Sequence, residues 1–220
     1  METGDLELKG GGFEGELAEH FIDSVFQKTG IRDTKKKTAY CFGPGNGTEL
    51  RALARRFERV RACESSQRFW EKSLDIVNNN NLNNVALLRD DAIHDLEQES
   101  QLGHSYDVVT LLGFGPPFNL DSKKVKRTLL AANNAMRDDS SIIVITSDST
   151  TLEKLYRNVN RVYSNQGEMS VIQVEVDGIK ISSIVLSKIN PTRIQKNNFS
   201  PFSFLEENLS QYKFKKNMLE

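Results

Sequence analysis

Apolar and polar segments alternate along the chain in a pattern that predicts an α/β fold. Short runs rich in Val, Ile and Leu are separated by longer amphipathic stretches, as expected for strands joined by helical crossovers. Several runs are almost continuously apolar, which is typical of strands buried on both faces of a parallel sheet. The first five predicted strands are 38–43, 60–64, 85–92, 106–113 and 140–148.

After the fifth strand the pattern changes. Two further apolar runs, 170–176 and 179–188, are separated only by Asp177 and Gly178. An Asp-Gly pair readily adopts the positive φ angles of a type I′ turn, so these runs predict an antiparallel hairpin. The complete pattern predicts a mostly parallel seven-stranded sheet that ends in an antiparallel hairpin.

The predicted helices carry apolar positions at helical spacing. One helix, 16–26, precedes the first strand, and another, 67–77, follows the second. The latter is followed by an asparagine-rich segment, 78–84, whose residue type favours turns and predicts a loop. The helix after the first strand has its apolar positions at Leu50, Leu53, Ala54 and Phe57.

Length and composition restrict the class of protein. A chain of 220 residues is long enough for one domain with a full core. No apolar run approaches the ~20 residues of a membrane helix, and the acidic start resembles no signal peptide, so we expect a soluble, cytoplasmic protein with no membrane partner. A net charge of −1 removes the global argument for nucleic-acid binding. We expect Cys41 and Cys63 to be reduced, and the absence of clustered Cys and His predicts no catalytic metal.

The most informative stretch is the glycine-rich turn at 43–47, between the first strand and the next helix. Glycines there permit a sharp turn and close approach of a ligand to the helix N-terminus. Glu64, at the end of the second strand, is placed to accept hydrogen bonds from both hydroxyls of a ribose. Thr48 stands where a dinucleotide-binding motif has its third glycine, which favours a nucleoside without pyrophosphate. The alternative interpretation is an ordinary turn and a surface glutamate.

On these residues, and in the order of its strands from 38 to 188, the chain resembles the class I S-adenosylmethionine-dependent methyltransferases. The resemblance implies a three-layer, Rossmann-like sandwich with S-adenosylmethionine as cofactor. It also implies that the glycine turn lies beside the methionine part, that Glu64 holds the ribose, and that Asp91 with Ala92 meets the adenine. The cofactor residues it implies are Gly43, Gly45, Asn46, Gly47, Glu64, Ser65, Asp91 and Ala92.

One position departs from that family. Its members usually have an acid two residues before the first glycine, where it helps to hold the cofactor's amino group, and this chain has Cys41. Thr38, Glu49 or a residue of the N-terminal helix is a candidate replacement. The alternative function is a non-catalytic methyltransferase-like protein that serves as a binding partner or scaffold.

The acceptor side of the site is less clearly marked. A Gly-Pro-Pro-Phe segment at 115–118 is similar to the Asn/Asp-Pro-Pro-aromatic signature of amine methyltransferases, but Gly115 has no side-chain acceptor. We therefore interpret this segment as a loop that places Phe114 or Phe118 near the acceptor. His20 is the candidate general base, since imidazole titrates near neutral pH, with a surface histidine as the alternative.

The ends of the chain suggest the class of acceptor. We interpret 1–37 as a lid or cap, 38–188 as the cofactor-binding core, and 189–220 as an extension packed on the core. Because these ends are too short for a specificity domain, a small-molecule acceptor is favoured, while protein and RNA remain open. Aminopropyl transfer in the same nucleoside pocket is a further alternative, but the loop after the fourth strand has no acid before Asp121 to bind a polyamine.

Overall fold

Helices and strands alternate along the chain as the apolar pattern predicts. The computed structural model describes residues 15–112, 122–137, 141–146, 155–156, 159–160, 167–176 and 179–188, which all belong to the unit Met1–Ile189. The elements are α1 (Gly15–Thr29), a 3-10 turn (Thr34–Lys36), β1 (Thr38–Phe42), α2 (Thr48–Arg56), β2 (Arg59–Cys63), α3 (Gln67–Asn79), β3 (Val85–Leu88), α4 (Ala92–Gln101), β4 (Val108–Leu111), α5 (Ser122–Asn134), β5 (Ile142–Thr146), β6 (Gly167–Val176) and β7 (Ile179–Lys188).

The seven strands form one sheet in the order β3-β2-β1-β4-β5-β7-β6. Strands β1 to β5 are parallel, whereas β7 is antiparallel to both β5 and β6. The predicted sheet with its terminal hairpin is therefore confirmed. Its strand order reverses between β1 and β4, and in such sheets the crevice for ligands opens at the carboxyl ends of the strands beside that reversal.

Helices cover both faces of the sheet, so the molecule has three layers. Side chains of β1 point alternately to the two faces, as the strand geometry requires. Tyr40 bonds to Asp95 of α4 on one face, while Cys41 bonds to Glu49 of α2 on the other. Helices α1 and α3 pack against α2, and α5 packs against α4. An apolar cluster of buried residues lies on the α1 and α2 face, where Phe26 and Phe57 meet edge to face.

Several predicted strands are too long at their ends, and β3 and β4 show this most clearly. β3 ends at Leu88 rather than at 92, because the Asp91 side chain caps α4 by accepting the N–H groups of Ile93 and His94. β4 begins at Val108 rather than at 106, since Tyr106 makes only an isolated bridge outside the strand. The residues Asp91 and Ala92 therefore begin a helix instead of ending a strand.

Helix α3 is less buried than its apolar pattern suggests. Four apolar residues of the helix are only half-buried, namely Phe69, Trp70, Ile76 and Val77. The fully buried residue is Ser73. The helix covers the edge strand β3, which offers less surface than a central strand. The predicted asparagine loop is confirmed from residue 80 onward, and Asn84 fastens it by donating to the carbonyls of Ala54 and Phe57.

The segment after β5 and the two ends of the chain are described only in part. Residues 155–156 and 159–160, after β5, are helical, and Leu155, Tyr156 and Val159 are buried. The Asp-Gly turn at 177–178, the extension 189–220 and residues 1–14 lie outside the described residues. Within the ranges given above, no helix is long and apolar enough to cross a membrane.

Candidate functional site

The turn between β1 and α2 requires its glycines. Gly43, Gly45 and Gly47 have φ angles of 60°, 57° and 82°, in the left-handed region that other residues rarely adopt. At Gly47 a Cβ atom would stand 2.7 Å from the Cα of Ser73, so only glycine lets α3 pack this closely. The Ser73 hydroxyl also donates to the Gly45 carbonyl over 2.9 Å. The turn is therefore held in shape by the helix beside it.

Glu64 lies directly after β2 and is joined to this turn. The Gly45 N–H donates to its Oε2 over 3.1 Å, and the Ser66 N–H donates to its Oε1 over 2.8 Å. Because each carboxylate oxygen has two lone pairs, each oxygen keeps one for a further donor. The carboxylate is thus fixed in orientation by two backbone groups and still offers two parallel acceptors at the carboxyl edge of the sheet.

The other predicted cofactor residues lie in the loops after β1, β2 and β3. Asn46 shapes the glycine turn by accepting the Thr48 hydroxyl over 3.1 Å, and Ser65 is exposed beside Glu64. The Asp91 cap of α4 uses Oδ1, so Oδ2 remains to accept a hydrogen bond, and Ala92 next to it is buried. Since the three strands are parallel neighbours, their loops meet at one edge of the sheet.

A buried carboxyl group lies beneath the glycine turn. Glu49, in the first turn of α2, has no exposed surface, and the Cys41 thiol donates to its Oε1 over 3.4 Å. Its Oε2 has no hydrogen-bond partner among the described residues. Burial, together with the negative charge of Glu64, raises the pKa of Glu49 well above its usual value. Burial and the neighbouring Glu49 likewise raise the pKa of the Cys41 thiol, so Cys41 keeps its proton at neutral pH.

The candidate residues for binding or activating the acceptor are His20, Phe114 and Phe118. His20 is exposed on α1, between Glu19, which pairs with arginines of α2, and the buried Phe21. Its role as a base stays a prediction. Phe114 and Phe118 lie outside the described residues. In the part of the chain with assigned positions, no three His, Cys, Asp or Glu side chains are grouped so that they could hold a metal ion.

A polar network that was not predicted from the sequence lies between the sheet and α4. Asp95 of α4 accepts the Tyr40 hydroxyl over 2.9 Å and pairs with the Arg61 guanidinium, while Glu99 accepts the Tyr106 hydroxyl. Burial is the main cause that raises the pKa values of both tyrosines. The signal was present, because Asp95 and Glu99 share the apolar face of α4 at a spacing of four residues. These groups pair with one another and stabilise the fold.

A cavity of about 630 Å³ opens at the amino ends of β1, β2 and β3, where it is lined by Thr38, Arg59, Arg61 and Val85 among others. Two of the residues that line it, Arg61 and Glu99, form an ion pair in which Arg61 Nη2 lies 3.4 Å from Glu99 Oε1. This edge is opposite to the glycine turn and Glu64. The glycine turn and Glu64, which form the predicted nucleoside site, therefore lie together at the carboxyl edge. The cavity is separate from that site.

Comparison with known proteins agrees with this architecture. The family model described as Conserved hypothetical protein 95 matches residues 24–174, more than half of the 220-residue chain. No curated protein is significantly similar in sequence.

Three solved structures illustrate the similarity in fold. An rRNA methylase from Streptococcus thermophilus has a TM-score of 0.57 and 10% identity over 77% of this chain and 96% of that chain. An O-methyltransferase from Bacillus cereus in complex with SAH has a TM-score of 0.60 and 15% identity over 80% and 83%. Precorrin 8w decarboxylase from Methanobacterium thermoautotrophicum has a TM-score of 0.61 and 14% identity over 82% and 94%. At such identities the likeness establishes the fold alone.

Proposed function

The chain belongs to the Conserved hypothetical protein 95 family and has the class I methyltransferase fold, and on this premise we propose that it is an S-adenosylmethionine-dependent methyltransferase. The observation that carries the proposal is the Glu64 carboxylate. It stands at the end of β2, is fixed by the N–H groups of Gly45 and Ser66, and keeps one free lone pair on each oxygen. Two vicinal ribose hydroxyls are the natural donors for such a pair of acceptors.

The residues around Glu64 fit the rest of the cofactor. Gly43 lies next to this carboxylate, since a Cβ atom at that position would stand 3.9 Å from Glu64 Oε2, at ordinary contact distance. The free Oδ2 of Asp91 is suited to accept the amino group of an adenine, and the buried Ala92 offers an apolar contact. S-adenosylmethionine supplies a sulfonium-bound methyl group, whose transfer to a nucleophilic acceptor atom leaves S-adenosylhomocysteine (SAH).

The work left to the protein is mainly to position the acceptor. Alignment of two reactants is a large part of catalysis when the cofactor carries the electrophile. The acceptor would bind at the carboxyl edge, between α1 and the loop 113–118, with Phe114 or Phe118 against it. Where the acceptor atom carries a proton, His20 is the proposed base that removes it.

We favour a small-molecule acceptor, because a chain with a net charge of −1 carries no overall excess of positive charge to bind the phosphates of an RNA. The two buried cysteines form no disulfide, which suits a reducing compartment, and we propose the cytoplasm.

Isothermal titration calorimetry with SAH and S-adenosylmethionine tests the proposal. We expect the wild type to bind both, and Glu64→Ala to weaken both by at least about tenfold, as the loss of a charged hydrogen-bond acceptor predicts. Glu71→Ala, an exposed glutamate on α3, is the control and should leave both affinities unchanged. If the wild type binds neither ligand at millimolar concentration, the enzyme proposal fails and the scaffold alternative takes its place.

A second assay addresses the acceptor. The protein is incubated with S-adenosylmethionine carrying a radioactive methyl group and with a cell extract that has been separated into small molecules, RNA and protein. We expect label to enter the small-molecule fraction. Label confined to precipitated RNA or protein would contradict the proposed acceptor class and leave the cofactor assignment intact.

A further inference from the structure

The proposed cofactor site lacks an acid at position 41, where the resemblance leads one to expect it, and contains a buried acid, Glu49, that has no assigned role. Position 41, two residues before the first glycine, holds a cysteine, whereas a fully buried glutamate without a complete set of partners lies beside it. Each feature alone is unfavourable for a cofactor site. Together they suggest that the acidic group has moved from the strand to the helix.

The geometry supports such an exchange. The Sγ of a cysteine takes the place that Cγ has in an aspartate, so Cys41 Sγ marks where the carboxyl group of an aspartate at position 41 would begin. Glu49 Oε1 lies 3.4 Å from that sulfur. Cys41 pairs in register with Thr110 of β4, at the carboxyl edge where the strand order reverses. The Glu49 carboxyl group is therefore buried beside Cys41, near this edge of the sheet.

The energetics indicate what Glu49 binds. A buried carboxyl group with an unpartnered oxygen destabilises the protein unless a ligand or ion completes its hydrogen bonds. The nearby titratable groups are the Cys41 thiol and the Glu64 carboxylate, neither of which brings a positive charge. A cationic hydrogen-bond donor is the group that suits the free Oε2.

We propose that Glu49 accepts the α-amino group of the methionine part of S-adenosylmethionine, in place of the acid that position 41 lacks. This inference rests on the proposed function. It makes Glu49 a cofactor-binding residue that acts from the first turn of α2, with Cys41 holding its Oε1 and Oε2 left for the ammonium group.

Among the described side chains, the other candidate replacements have positions or partners that do not suit this role. Thr38 begins β1 at the opposite edge of the sheet and donates to Ser105 and Asp107 there. On α1, Glu19 is paired with arginines, as is Asp23. Glu49 is thus the candidate that lies beside Cys41 and has an oxygen to spare.

A cycle of ligand and protein changes tests the contact directly. Wild type and Glu49→Gln are titrated with SAH and with deamino-SAH, the same molecule without its α-amino group. We expect wild type to bind SAH at least about tenfold more tightly than deamino-SAH, and Glu49→Gln to bind the two with equal affinity. Glu58→Gln, which removes the same charge from an exposed position, should keep the preference of the wild type.

A rescue variant guards against a purely structural effect. In Cys41→Asp combined with Glu49→Gln, the acid returns to the strand, and we expect the preference for SAH over deamino-SAH to return with it. Glutamine matches the shape of a protonated glutamate, so both variants should fold, and the wild-type comparison of the two ligands is informative even if they do not.

The outcomes separate this inference from the proposed function. If wild type binds SAH and deamino-SAH equally well, or if Glu49→Gln folds and keeps the preference for SAH, Glu49 does not bind the amino group and the inference is overturned, while the function stands. If wild type binds neither molecule, the proposed function itself is overturned.

Discussion

Gly47→Ala is the substitution whose cost can best be derived from the structure. The residue has a φ of 82°, and its added Cβ would stand 2.7 Å from Ser73 Cα and 3.0 Å from Ser73 Oγ. An L-residue in the left-handed region costs about 1–2 kcal/mol. The overlap with α3 adds about 1–3 kcal/mol, because the nearest atom is backbone and cannot rotate away. We expect the free energy of unfolding to fall by about 2–5 kcal/mol in total.

Gly103→Ala separates the two contributions. Gly103 has a φ of 77°, but a Cβ there would meet no atom within 4 Å. It therefore carries the backbone cost alone, and Gly47→Ala should destabilise the protein by about 1–3 kcal/mol more.

Urea unfolding followed by the fluorescence of Trp70 measures both variants. Trp70 is the single tryptophan of the chain and belongs to α3, the helix that the new methyl group would displace. We also expect Gly47→Ala to weaken SAH binding and Gly103→Ala to leave it unchanged. Equal unfolding midpoints and equal slopes for the two variants would refute the argument that Gly47 is needed for the close approach of α3.

Three further predictions concern burial and charge. Because the pKa of Glu49 is raised in the folded protein, its stabilising contribution is fully present below about pH 4.5 and is lost as the pH rises through the raised value, so the stability of wild type should fall relative to Glu49→Gln over that range in urea titrations. Asp95→Ala leaves Tyr40 and Arg61 without their shared partner and should lower the free energy of unfolding by about 3 kcal/mol. Phe21→Ala should cost about 3–5 kcal/mol in the same assay, since the ring is fully buried where α1 meets the core.

Each of these has a result that would count against it. A difference between wild type and Glu49→Gln that does not change with pH would mean that Glu49 titrates normally. A loss below about 1 kcal/mol in Asp95→Ala would show that the buried pair is no better than a hydrophobic contact. His20→Ala, on the exposed side of α1, is the control for Phe21→Ala and should change stability by less than about 0.5 kcal/mol, so equal losses would contradict the assigned face of the helix.

The architecture was predictable from the sequence because its signals are local. Runs of branched apolar residues mark buried strands, and the nearly uninterrupted ones, such as Ile142–Thr146, are hard to interpret otherwise. The ends of strands were less predictable. Asp91 stands three residues after the end of β3, behind the charged Arg89 and Asp90. Whether it extends the strand or caps the helix is decided by hydrogen bonds from the N–H groups of Ile93 and His94, which are not visible in the pattern of polarity.

The candidate site was predictable only in part. Glycines after a first strand and Glu64 after a second are a spacing signal, and the structure joins them by a hydrogen bond. No spacing rule identifies Ser73, whose importance comes from the space that Gly47 leaves. From the sequence alone, Glu49 was one of three candidates to replace the acid that is absent at position 41. Its burial and its contact with Cys41 are tertiary facts, and they depend on how the first turn of α2 packs on β1.

A crystal structure of the full chain with SAH is the most direct test of the central claim. We predict that both ribose hydroxyls lie within hydrogen-bonding distance of the Glu64 carboxylate, beside the glycine turn at 43–47. A nucleoside bound in the cavity at the amino ends of the strands, or bound at the carboxyl edge without contact to Glu64, would contradict the account.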